Sequence, residues 1–135
     1  MRRPITPFAH GVLDYATVAM LLAAPRALRL PSRAAATVYA LAAGYAGLSM
    51  VTDYPLAVKR AVPFKAHGAT EAILGALLPA MPWMIGEEEE PRVRSLFLCL
   101  TALTGVAAML TDWSKTSKRA ATRRHRRKPR LVRAA

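Results

Sequence analysis

Apolar residues in this chain fall into four long runs: Ala9 to Ala24, Ala34 to Thr52, Ala66 to Ile85 and Ser95 to Thr111. A helix of a water-soluble bundle carries polar residues on its outer face at every third or fourth position. The stretches "RAAATVYALAAGYAGLSMVTD" and "RSLFLCLTALTGVAAMLTD" instead hold no charge between their flanking residues. At about 1.5 Å per helical residue each run reaches roughly 25 to 30 Å, close to the thickness of a bilayer's hydrocarbon core. The pattern predicts an all-α protein of four transmembrane helices over residues 1–114, followed by a basic segment over 115–135. Met1, Arg2 and Arg3 also match the basic start of a cleaved signal peptide, but His10 and Asp14 inside the first run argue against that reading.

Charge separates from hydrophobicity along the chain. There are 20 basic and 8 acidic residues among 135, and much of the excess lies in "KTSKRAATRRHRRKPRLVR". That run has no acid and no aromatic ring to stack on a base, so nucleic acid is not the expected partner. It reads as a disordered tail. Arg123, Arg124, Arg126, Arg127 and Lys128 would face anionic lipid headgroups, each worth about 1 kcal/mol near the surface. With four spans, Arg2, Arg3, Lys59, Arg60, Lys65 and the tail share one side, which the positive-inside rule assigns to the cytoplasm. Both termini are then cytoplasmic in a cell inner membrane, although Arg26, Arg29 and Arg33 lie on the opposite side.

Other residues have ordinary expectations. Cys99 has no partner and is expected to be a packing residue, with no disulfide framework. Trp83, Trp113, Tyr54 and Tyr15 are expected in an interfacial aromatic belt, and Gly44, Gly47, Gly75, Ala76 and Gly105 at close helix contacts.

Laid over itself, the chain repeats. "PFAHGVLDY" at residues 7–15 matches "PFKAHGATE" at 63–71, pairing His10 with His67 and Asp14 with Glu71 at an offset of 57 and, with one residue of slack, Pro7 with Pro63 and Phe8 with Phe64. "MVTDYPLAVKRA" matches "MLTDWSKTSKRA" at an offset of 59, pairing Asp53 with Asp112. The polar matches point to a tandem duplication of a two-helix hairpin, with copies at residues 7–60 and 63–119. Each copy holds two spans, so both insert the same way and the halves are expected to be related by a pseudo-twofold axis along the membrane normal.

The duplicated unit, with "HGVLDY" and "HGATE" opening helices and "LLAAPRAL" and "LLPAMPWMIG" closing them, resembles small bacterial membrane proteins of the SPW-repeat type over most of residues 7–113. Met81-Pro82-Trp83 and Ala24-Pro25-Arg26 stand where that family carries Ser-Pro-Trp. The resemblance implies an integral membrane protein and no particular chemistry.

Topology then gathers the polar residues. His10, Asp14, Asp53, His67, Glu71 and Asp112 all fall at the end where the first and third helices begin and the second and fourth end. Residues four apart share a helix face, so His10 points with Asp14 and His67 with Glu71. Ionisable groups within spans face the bundle interior, because lipid exposure near the midplane costs at least about 2 to 3 kcal/mol each. Asp53 and Asp112 close their helices, where the dipole disfavours a carboxylate, whereas a helix start disfavours an imidazolium and keeps His10 and His67 neutral.

This inventory suits a divalent metal. The candidates are a dinuclear iron or manganese site, though the Glu-x-x-His spacing is absent, or a single Zn²⁺ on His10, His67 and a carboxylate. The rival is a structural or accessory subunit, alone or as a homo-oligomer or with a membrane-protein partner, in which His10 pairs with Asp112 and His67 with Asp53, or the swapped pairs. A proton or ion relay is a further alternative. A haem between the two histidines is disfavoured by the neighbouring carboxylates. No nucleophile elbow, phosphate loop, nucleotide fingerprint or zincin helix is present, which leaves soluble enzymology unsupported.

Overall fold

In the computed structural model, which describes residues 3–114, the chain is all-helical. Helices α1 (Pro7–Ala27) and α2 (Ser32–Val51) form one hairpin. The second pairs α5 (Pro91–Leu110) with a broken span made of α3 (Phe64–Leu77), a 3₁₀ turn (Leu78–Ala80) and α4 (Met81–Met84). Prolines explain the break: Pro79 and Pro82 each lack the N–H that would bond the carbonyl one turn back. Consequently three helices, α1, α2 and α5, are individually long and apolar enough to cross a membrane. The basic segment 115–135, with Lys118, Arg119 and the tail residues Arg123, Arg124, Arg126, Arg127 and Lys128, lies outside the described residues.

Local signals start the helices where they are seen. Thr6 caps α1 by accepting a hydrogen bond from Ala9 N at 3.2 Å, with Pro7 in the first turn. Pro63 and Glu90 hold the same place before α3 and α5. Two arginines at the far end tie the hairpins together: Arg92 donates to Leu28 O at 3.2 Å, and Arg33 to Ile85 O at 3.1 Å. Arg26 donates to the Tyr39 hydroxyl at 3.0 Å. These three arginines therefore have partners within the fold.

The bundle has three levels. At the far end Leu21, Val38, Val93, Phe97 and Leu100 form an apolar core. In the middle lies a cavity of about 440 Å³. At the near end, where α1 and α3 begin and α2 and α5 stop, the polar residues are gathered. Large apolar side chains such as Phe8, Met20, Leu22, Ile73, Leu98 and Val106 point outward. An outer face of this kind suits lipid rather than water.

Three expectations need correction. Tyr54 is fully buried and Trp113 packs inward, so neither joins an aromatic belt, whereas Trp83 is exposed. Cys99 faces outward rather than into the bundle. Gly44, Gly47 and Gly105 have open space where a Cβ would stand, whereas Gly75 does make a close contact, with Thr104 Cγ2 3.1 Å from its Cβ position; the tightest approaches are at Gly11 and Gly68.

Candidate metal centre

Four of the six predicted residues meet at one point. His10, Asp14, His67 and Glu71 each offer a ligand atom, and these atoms lie within 4.8 Å of one another. All four are buried, with exposures of 1%, 1%, 0% and 3%, so none of them can be solvated by bulk water. The i, i+4 spacing within α1 and α3 places each histidine and its carboxylate on one face, and the two faces look at each other.

The distances are short and nearly uniform. His10 Nε2 lies 3.4 Å from His67 Nε2, 3.4 Å from Asp14 Oδ1 and 3.0 Å from Glu71 Oε2. His67 Nε2 lies 3.5 Å from Asp14 Oδ2 and 3.6 Å from Glu71 Oε2. Asp14 Oδ2 and Glu71 Oε2 have no hydrogen-bond partner.

The opposite ring nitrogens fix the tautomers. Thr111 Oγ1 stands 2.9 Å from His10 Nδ1 and Thr52 Oγ1 stands 2.7 Å from His67 Nδ1. Each threonine hydroxyl already donates its proton one turn back along its own helix, Thr111 to Ala107 O at 2.6 Å and Thr52 to Leu48 O at 2.7 Å. The hydroxyl oxygens can therefore only accept, and both histidines must carry a proton on Nδ1. In a neutral imidazole this leaves Nε2 as a bare lone pair. Two such lone pairs and two carboxylates then converge in a dry space, an arrangement stable only around positive charge.

Tyr45, from the middle of α2, completes the carboxylate side. Its hydroxyl reaches Asp14 Oδ1 at 3.0 Å and also Glu71 Oε1, so one phenol bridges the acids of both hairpins. Toward the loops the site is roofed by aromatic rings. Trp113 and Phe64 stand edge-on to His10, with ring centroids 4.9 and 5.4 Å away, and are 4.8 Å from each other. Tyr54 lies beside Phe64 at 6.2 Å, and burial raises its phenol pKa above the ordinary value.

The remaining two predicted ligands lie outside this group. Asp53 Oδ1 is 3.6 Å from Arg60 Nη1, and Asp112 Oδ1 accepts from Ser114 N at 3.1 Å. Their immediate neighbours Thr52 and Thr111 take the expected place beside the histidines, because at the end of a helix consecutive side chains diverge and only one can face the axis. The predicted His10–Asp112 and His67–Asp53 pairs are thus replaced by His10–Thr111 and His67–Thr52. The sequence signal for the threonines was present in the matched "VTD" and "LTD" triplets. Tyr45 had no such signal, being one aromatic residue in an apolar run.

The backbone contacts at the near ends of α2 and α5 are alike. Ile5 N donates to Leu110 O at 3.1 Å and Val62 N to Val51 O at 2.9 Å, while Asp112 N donates to Ile5 O at 2.9 Å and Asp53 N to Val62 O at 2.7 Å. A Cβ on Gly11 would meet Tyr54 Cε2 at 2.8 Å, and one on Gly68 would meet Trp113 Cζ3 at 2.6 Å.

No family model matches this chain, and neither a curated protein nor a solved structure does so.

Proposed function

We propose that this is an integral membrane protein whose bundle holds one divalent transition-metal ion on His10, His67, Asp14 and Glu71. The observation that carries the reading is the spacing of the donor atoms. Bonds of roughly 2.0 to 2.2 Å set tetrahedral ligand atoms about 3.3 to 3.6 Å apart; the five distances from the two Nε2 atoms, with Asp14 offering a different oxygen to each histidine, run from 3.0 to 3.6 Å, and all four ligand atoms lie within 4.8 Å of one another. Two imidazoles and two carboxylates suit Zn²⁺, Fe²⁺ or Mn²⁺. Their charges balance a dication. A second metal would need more donors than these four supply, so the mononuclear alternative is preferred to the dinuclear one. Glu71 Oε2, only 3.0 Å from His10 Nε2, fills the gap a porphyrin would need.

Support for the duplicated architecture comes from the recurring backbone contacts and from the crossed histidine–threonine bonds. On that reading the ion sits on the pseudo-twofold axis. The tandem-hairpin reading keeps the resemblance to SPW-repeat proteins, and the basic residues of the near-end loops keep both termini cytoplasmic.

Elemental analysis of detergent-purified protein tests the site. About one divalent ion per chain is expected in the wild type and none in His10→Ala/His67→Ala. A wild-type protein that holds no stoichiometric metal after incubation with Zn²⁺, Fe²⁺ or Mn²⁺ sinks the reading.

A further inference from the structure

The candidate metal centre is covered toward the loops and, on its other side, borders a cavity through Glu71. On the loop side Trp113, Phe64 and Tyr54 cover the histidines, and a Cβ on Gly11 or Gly68 would already collide with Tyr54 or Trp113. On the other side Glu71 and Tyr45 form the floor of the mid-bundle cavity, whose volume is about 440 Å³. Its walls are mostly apolar, among them Leu21, Leu41, Leu48, Leu74 and Leu100, and of the threonines that also line it Thr37 and Thr70 donate their hydroxyls to their own helix backbones. Water has little to bond to on such walls. The floor offers two acceptors: the Tyr45 oxygen, and the Glu71 carboxylate it touches.

From this we infer that the cavity binds a membrane-dissolved ring compound with a hydroxyl head, of the quinol or alkylphenol class, with its hydroxyl donating to Glu71 or Tyr45 and its apolar body along α2 and α3. The volume is that of a small-molecule pocket, at the low end of roughly 300 to 1,000 Å³. An apolar cavity with a few convergent polar groups at one end selects a molecule with the same distribution. A water-soluble ligand has no route past the aromatic roof, whereas one dissolved in the bilayer meets the cavity between the hairpins. The ligand site shares Glu71 with the proposed metal site and rests on that reading for its polar floor.

Gly44 makes the test clean. It lines the cavity, and a Cβ built there meets nothing within 4 Å, so the side chain of Gly44→Leu starts in open space. The full-length protein, in phosphatidylcholine nanodiscs, is irradiated with a 4-alkylphenol bearing a diazirine in its chain, and labelled residues are mapped by mass spectrometry. Metal content is measured on the same samples.

Labelling at cavity residues such as Thr37, Leu48 and Leu74 is expected in the wild type. It should fall by roughly tenfold in Gly44→Leu. Excess 4-hexylphenol should compete and hexylbenzene should not. Equal labelling of wild type and Gly44→Leu, label spread over the outer faces, or equal competition by hexylbenzene would overturn the proposal. Should Gly44→Leu fail to yield monodisperse protein, Ala40→Leu, which lines the same cavity, gives the same comparison. Metal without cavity labelling defeats the ligand and spares the ion. Cavity labelling without metal does the reverse.

Discussion

His10 Nδ1 and Thr111 Oγ1 lie 2.9 Å apart across 101 residues of chain, and the threonine's own proton is committed to Ala107 O at 2.6 Å. The bond therefore has a fixed direction, and it sets which nitrogen of His10 faces the carboxylates. Thr52 does the same for His67 at 2.7 Å.

Replacing either threonine by valine keeps the shape and removes the acceptor. Thr111→Val or Thr52→Val is expected to weaken metal affinity by roughly 10- to 100-fold, the usual effect of losing a partner behind a ligating histidine. Serine at either position should restore most of it. Competition against a chelator of known affinity reads this out, and wild-type affinity in both valine variants would show that the tautomer is not set there.

Metal should act as a stabiliser. An ion that binds only the folded state adds about 2.7 kcal/mol at a hundredfold excess over its Kd. A rise in the thermal unfolding midpoint with added Zn²⁺ or Mn²⁺ is expected for the wild type and not for His10→Ala/His67→Ala. Equal shifts in both proteins would place the ion elsewhere.

Tyr45→Phe removes the one hydroxyl that joins Asp14 to Glu71 across the hairpins. Hydrogen bonds to charged groups contribute roughly 1.5 to 3 kcal/mol, and leaving buried acceptors without them costs a similar amount. A lower unfolding midpoint of that order is expected, together with weaker metal binding. An unchanged midpoint would mean the two acids do not need this bridge.

Glycine substitutions separate the near end of the bundle from its middle. Gly11→Ala and Gly68→Ala drive a methyl into Tyr54 and Trp113 at 2.8 and 2.6 Å, an overpacking that typically costs 1 to 3 kcal/mol, taken here as about that range. Gly44→Ala meets no atom within 4 Å and should be neutral or stabilising through its better helix propensity. Thermal melts in detergent distinguish these outcomes, and similar effects at all three positions would contradict the assigned packing.

Much of this arrangement was legible in the sequence because bilayer thickness and helix rise together dictate run length. Four apolar runs gave four helical stretches, and the His10–Asp14 and His67–Glu71 spacings gave two converging faces. What escaped were choices between adjacent residues. Whether Asp53 or Thr52 turns inward depends on a few tens of degrees at the helix end, and the pattern of polar positions is identical either way. Aromatic residues near a membrane interface likewise serve lipid or site equally well in composition. Only the ring approaches to Gly11 and Gly68 show that Tyr54 and Trp113 belong to the roof.

The crossed bonds also bear on how the molecule is made. His10 is translated 101 residues before Thr111, the residue at the end of α5 that orients its ring. His67 is made after Thr52, which orients its ring from the other hairpin. A nascent chain that has inserted only its first hairpin thus has half a donor set and an unaligned imidazole. Were the proposed ion bound there, its capture would report that both hairpins had been synthesised and docked.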